Sequence, residues 1–238
     1  MLTFKKSNQN KELRKRIFAE QLYLILAAMF IAALVGSNLI FQKFFSWDFF
    51  GIKTFELSVG ILAYPVTFLI TDIISEIYGA KRANRVVFSG IAASFFMTFI
   101  VYLADVMPAA SWSTINDETF HSVFGLSGVA VSASMMAYLC AQFVDIQLFH
   151  FWKRLTKGKM LWLRNNFSTF LSQIVDTSLV LGLLCWFEVI SWDLYWLLLF
   201  DGVLFKIIIA ALDTPLLYLS TYFIRKKLGL RFGQEYRD

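Results

Sequence analysis

Apolar residues fill this chain in runs of about twenty, the length that carries a helix across a bilayer core. Polar or basic connections separate the runs. The pattern predicts six spans, at about 20–42, 56–79, 84–105, 122–150, 166–190 and 194–224. Several exceed the minimum, which implies tilt or ends that project into water. A polar, basic segment (1–19) precedes the spans, and a basic tail (225–238) follows them. The first run is long and has no small-residue cleavage site, so it reads as a retained span. The connection 43–57, KFFSWDFFGIKTFEL, is rich in aromatics around Trp47 and predicts a short hairpin or an interfacial segment. The connection 106–121, with Pro108, Ser111, Ser113 and Asn116, reads as an exposed loop.

Composition agrees with this pattern. The chain is 58% hydrophobic and only 16% charged, with mean hydropathy +0.62. A soluble domain carries about 25% charge, so this is a single all-α, polytopic membrane domain. Of the 22 basic residues, 19 fall in the N-terminal segment, the connections after the second and fourth spans, and the tail. The opposite loops hold Lys43 and Lys53 among acids such as Asp48, Glu56, Asp117 and Glu188. The Lys/Arg bias predicts both termini on the cytoplasmic side, which six crossings satisfy. The net charge of +5 sits in these connections and needs no nucleic acid to explain it.

The polar residues inside the spans carry the chemistry. Asp72 and Glu76 lie four apart, so on a helix they share a face one turn apart. Pro65 heads the same span, where it is expected to loosen the helix. Asp145, Asp176 and Asp213 add further acids, and Lys206 is the one lysine within a span. Lys206 and Asp213 are two turns apart and face the same way. One ion pair does not neutralise five acids, and unpaired acids at lipid depth cost several kcal/mol. These residues are therefore expected to converge on a polar cavity. Amides accompany them: Asn38, Gln42, Gln142, Asn165 and Gln173. Gln142-x-x-Asp145 and Gln173-x-x-Asp176 echo each other, each putting an amide and a carboxylate on one helical face.

Carboxylates recognise amidine-like N–H edges, amides complement lactam edges, and aromatics stack on flat rings. Such a cavity suits a planar, nitrogen-rich solute. An anion would want arginines, and apart from Arg85 at the basic end of the third, none falls within the predicted spans. Cys140 and Cys185 sit in apolar runs and read as buried small side chains rather than a disulfide. His121 and His150 lack metal-ligand spacing, so no metal or other cofactor is implied. No phosphate-binding Gly-Lys-Ser/Thr loop and no His-Glu-x-x-His is present.

The second-span residues Pro65-Val66-Thr67-Phe68, Thr71-Asp72 and Ser75-Glu76-Ile77-Tyr78-Gly79 resemble the signature of the queuosine precursor transporter family. Arg82 and Arg85, Gln142 with Asp145, Ser172-Gln173 with Asp176-Thr177, and Lys206 with Thr214-Pro215 extend the resemblance over nearly the whole chain. That family groups with vitamin uptake transporters and is similar to the substrate-binding subunits of energy-coupling-factor systems. The resemblance implies uptake of 7-cyano-7-deazaguanine across the bacterial inner membrane for salvage into tRNA queuosine. 7-Aminomethyl-7-deazaguanine is the second candidate. The expected substrate-binding residues are Asn38, Asp72, Glu76, Gln142, Asp145, Gln173, Asp176, Lys206 and Asp213. The basic N-terminus departs from the family pattern and reads as peripheral.

Two other readings compete. A binding subunit would need an energising partner; the small-residue stretches Gly90–Ser94 and Ala130–Ser134 suit such a partner or a second copy of the chain. An intramembrane serine protease would use Gly125-Leu126-Ser127-Gly128, but the sixth span supplies no histidine base.

Overall fold

The computed structural model describes residues 2–41, 43–51, 53–125, 128–157, 159–188 and 190–236. Gln42, Leu126, Ser127 and Arg237 lie outside the described residues, as do the side chains of Asn165 and of Ala130–Ser134.

Helix α1 runs over Leu2–Ile40, so the N-terminal segment and the first span form one rod. The reason is local. The stretch KELRKRIFAEQ holds strong helix formers and no Gly or Pro, and Lys15 pairs with Glu12 one turn back at 2.9 Å. An antiparallel hairpin follows, β1 (Phe44–Phe49) and β2 (Lys53–Ser58), with Trp47 opposite Phe55. Its turn uses Phe50 and Gly51 at positive φ. The expected second span therefore begins as strand, continues as a 3-10 turn at Val59–Leu62, and becomes α-helix only in α2 (Tyr64–Tyr78). Pro65 stands in the first turn of α2, where its missing N–H leaves no bond unmade. It opens the helix rather than loosening it.

Helix α3 covers Ala80–Val106. The loop after it holds a short helix, α4 (Asp117–Phe124), capped by Asn116, whose side chain accepts from the Thr119 amide at 2.8 Å. The expected fourth span is thus split between α4 and α5 (Gly128–Leu155). Helices α6 (Leu161–Trp186) and α7 (Tyr195–Leu228) complete the bundle. Helix α7 passes through Pro215 and takes in Arg225, which the sequence pattern assigned to the tail.

Among the described residues, five helical stretches are long and apolar enough to cross a membrane: Glu12–Ile40, Val59–Tyr78, Ala80–Val106, Leu161–Trp186 and Trp192–Leu228. Helix α2 is the buried centre. Ile73, Ile74, Ile77 and Tyr78 pack with Phe30 and Leu34 of α1, Val86 and Val87 of α3, and Phe149 of α5. Gly90 faces α1: a Cβ there would meet a Phe30 ring carbon at 2.7 Å and Leu34 at 2.9 Å. That end of the Gly90–Ser94 stretch is used inside the chain.

The hairpin is fastened to α7. Phe55 and Leu57 are buried against Phe205, Trp47 meets the Phe205 ring edge-on at 5.7 Å, and Lys53 pairs with Asp201. Asp201 is 2% exposed and, paired with Lys53, holds the hairpin down. Phe55→Ala is expected to lower stability by about 3–5 kcal/mol, the usual cost of removing a buried aromatic. Thermal unfolding in detergent measures it, and an unchanged midpoint would show the hairpin to be loosely held.

Candidate functional site

Beside a cavity of about 280 Å³ between α6 and α7, two cavities that share Lys206 lie toward the hairpin end of the bundle. The larger, about 170 Å³, is walled by α1, the hairpin, α6 and α7. Asn38, Tyr138, Asp176, Thr177 and Lys206 supply its polar interior, and Glu56 of β2 stands on its lining. The smaller, about 30 Å³, lies between α2, α6 and α7 and is lined by Asp72, Gln173, Lys206 and Asp213. Lys206 and Ile61 belong to both linings.

Lys206 is the hinge of this arrangement. Its ammonium donates to the Asp176 carboxylate at 2.7 Å and to the Thr177 hydroxyl at 3.1 Å. Asp176 is 1% exposed, so the pair is desolvated. A buried pair of this kind contributes little net stability but is costly to break on one side. Gly202 lets α7 come close here, since a Cβ would lie 3.2 Å from the Thr177 methyl.

Gln173 is buried at 2% exposure, and its carbonyl oxygen has no hydrogen-bond partner among the described residues. An orphaned buried acceptor costs about 1–3 kcal/mol unless something donates to it. Gln142 is also buried. Its amide nitrogen donates to the Tyr138 hydroxyl at 2.6 Å, so it orients a residue of the cavity wall from behind. Asp145 accepts from the Ser172 hydroxyl at 3.0 Å, which ties the two Gln-x-x-Asp echoes together across α5 and α6. Neither Gln142 nor Asp145 lies on the lining of either cavity.

Asp72 and Asp176 were expected to share one hollow. They line neighbouring ones with Lys206 on both walls. Glu76 stands apart. It is fully buried one turn beyond Asp72 and is hydrogen-bonded to Arg225, with Lys153 3.5 Å away. The sequence reading missed both of these bases, placing them in solvated connections. It also missed Tyr138; the signal available was an aromatic one turn before Gln142 on the same helix face.

A helical bundle of several lipid-crossing lengths, with a desolvated acid–lysine–amide site opening toward one end, defines a multi-pass membrane protein of the transporter class. The chain matches, over residues 58–220, the family described as "Putative vitamin uptake transporter", and it belongs to that family. It is 30% identical over 132 residues to the "Probable queuosine precursor transporter" of Bacillus subtilis, covering 53% of this chain and 57% of that one. It is 27% identical over 126 residues to the "Queuosine precursor transporter" of Escherichia coli, covering 53% and 54%. The Haemophilus influenzae protein named "Probable queuosine precursor transporter" is 27% identical over 124 residues, covering 52% and 50%. The chain thus spans about half the length of these curated relatives. No solved structure matches it.

Proposed function

We propose that this protein imports a queuosine precursor, 7-cyano-7-deazaguanine or its 7-aminomethyl relative, across the bacterial inner membrane. It does so as a bundle of six crossings with both termini in the cytoplasm. The observation that carries this reading is the orphaned carbonyl of Gln173 beside Asp72 on a cavity wall. A buried acceptor next to a carboxylate calls for a guest that brings N–H donors. A deazaguanine presents N1–H, a 2-amino group and a pyrrole N–H on one rigid plane. Asn38 and Tyr138 on the larger cavity complement its carbonyl edge. The relatives' names support the same chemistry.

The test is tRNA queuosine content in a strain that cannot make the precursor, supplied with low external 7-cyano-7-deazaguanine. Expression of this chain is expected to restore queuosine, and Gln173→Ala to cut uptake about 10-fold or more, the effect of about 1.4 kcal/mol or more. Absence of rescue by the intact chain overturns the reading. Uptake by proteoliposomes holding only this chain excludes a binding subunit that depends on an energising partner. Uptake that ignores a protonophore excludes proton coupling.

A further inference from the structure

Both cavities lie on the hairpin side, and at the opposite, basic end α2 is closed off by charge and by the tail. Glu76 is 0% exposed, Arg225 6% and Lys153 8%. Arg225 of α7 bonds the Glu76 carboxylate, and Lys153 of α5 reaches both that carboxylate at 3.5 Å and the Glu76 carbonyl at 3.3 Å. The tail then folds back over the cluster. Glu235 takes Lys153 at 3.1 Å, and the Tyr236 amide donates to the Ile77 carbonyl at 2.6 Å. Phe232 lies under the Arg225 guanidinium at 4.7 Å. Gly79 ends α2 at φ 83° with no side chain, which leaves room for Glu235: a Cβ would sit 2.8 Å from its carboxylate.

We infer that Glu76, Arg225 and Lys153, strapped by Glu235 and Tyr236, are the inner gate of the transport path. The inference rests on the transporter reading but not on the identity of the solute. Asp72 borders the inner of the two cavities, and Glu76 follows it by one helical turn on the same face. A solute leaving that cavity toward the basic end meets the Glu76 cluster next. The cluster joins three helices through ionic contacts that water can replace, whereas the surrounding Ile74, Ile77 and Phe149 packing cannot be rehydrated cheaply. Two discrete arrangements, paired and hydrated, are what a gate requires. Because α2 carries site and gate, a shift of that helix which opens one also moves the other.

The test is side-specific labelling of full-length protein in sealed vesicles. Cys140 and Cys185 are replaced by alanine and a reporter is placed by Leu69→Cys, a residue on the smaller cavity. A membrane-impermeant maleimide is applied to the tail side or to the hairpin side. With the gate residues intact, labelling from the tail side is expected to be slow. Glu76→Gln, and the milder Glu235→Gln, are expected to raise it about 10-fold or more without raising hairpin-side labelling. Unchanged tail-side labelling in both variants overturns the gate. Equal acceleration from both faces in Glu235→Gln shows loosened packing instead and also overturns it. The measurement needs no solute, so a failure of precursor uptake leaves its outcome legible.

Discussion

Lys206→Met is expected to abolish uptake and to cost about 3–5 kcal/mol of stability, because it strands a carboxylate that is 1% exposed. The ammonium at 2.7 Å from Asp176 balances the charge of that acid inside the bundle. Removing both charges separates the two consequences. The double variant Lys206→Met with Asp176→Leu is expected to recover most of the lost stability, as buried ion pairs replaced by apolar residues commonly do. Uptake is expected to stay absent, since the guest then loses the Asp176 carboxylate as an acceptor and the Lys206 ammonium from both cavity walls. Thermal unfolding in detergent and precursor uptake measure the two effects. Recovery of uptake in the double variant would reduce the pair to scaffolding.

Gly60→Ala is expected to destabilise the protein by about 1–3 kcal/mol, the cost of forcing a methyl into filled space. A Cβ at Gly60 would lie 2.9 Å from the Phe41 Cβ and 3.0 Å from the Ser37 carbonyl oxygen, and backbone on α1 has little freedom to retreat. The same residue lines the larger cavity, and its carbonyl accepts the Ser37 hydroxyl at 2.7 Å. Weaker precursor binding is therefore expected along with the lower unfolding midpoint. A midpoint shift with intact binding would mean that α1 moves without deforming the cavity.

The apolar runs located the long helices because a lipid-facing rod leaves a compositional imprint that no neighbour can disguise. They were blind to what happens inside a run. The stretch 56–79 changes from strand to 3-10 turn to helix, since Phe55 and Leu57 bury as well on a hairpin as on a helix. The site followed the same division. Lys206, Asp176, Asp72, Gln173, Asp213 and Asn38 could be named because a polar group at lipid depth needs a reason. Which of them meet depends on helix rotation and register, which a single sequence does not encode locally. Glu76 shows the limit. Next to Asp72 in sequence it looked like half of one carboxylate pair, yet its partners come from residues 153 and 225, far along the chain and counted among the solvated charges.

Helix α2 has 15 residues, so it is about 22 Å long, short of the roughly 30 Å hydrocarbon core. With a polar hollow at one end of α2 and the proposed inner gate at the other, the insulating septum is expected to be thinner than the bilayer around it. With the gate hydrated, the membrane voltage is expected to fall over a few turns of helix. A charge that shifts by even a few ångströms within that septum, whether the Lys206 ammonium or a cationic passenger, would sense a disproportionate share of the field.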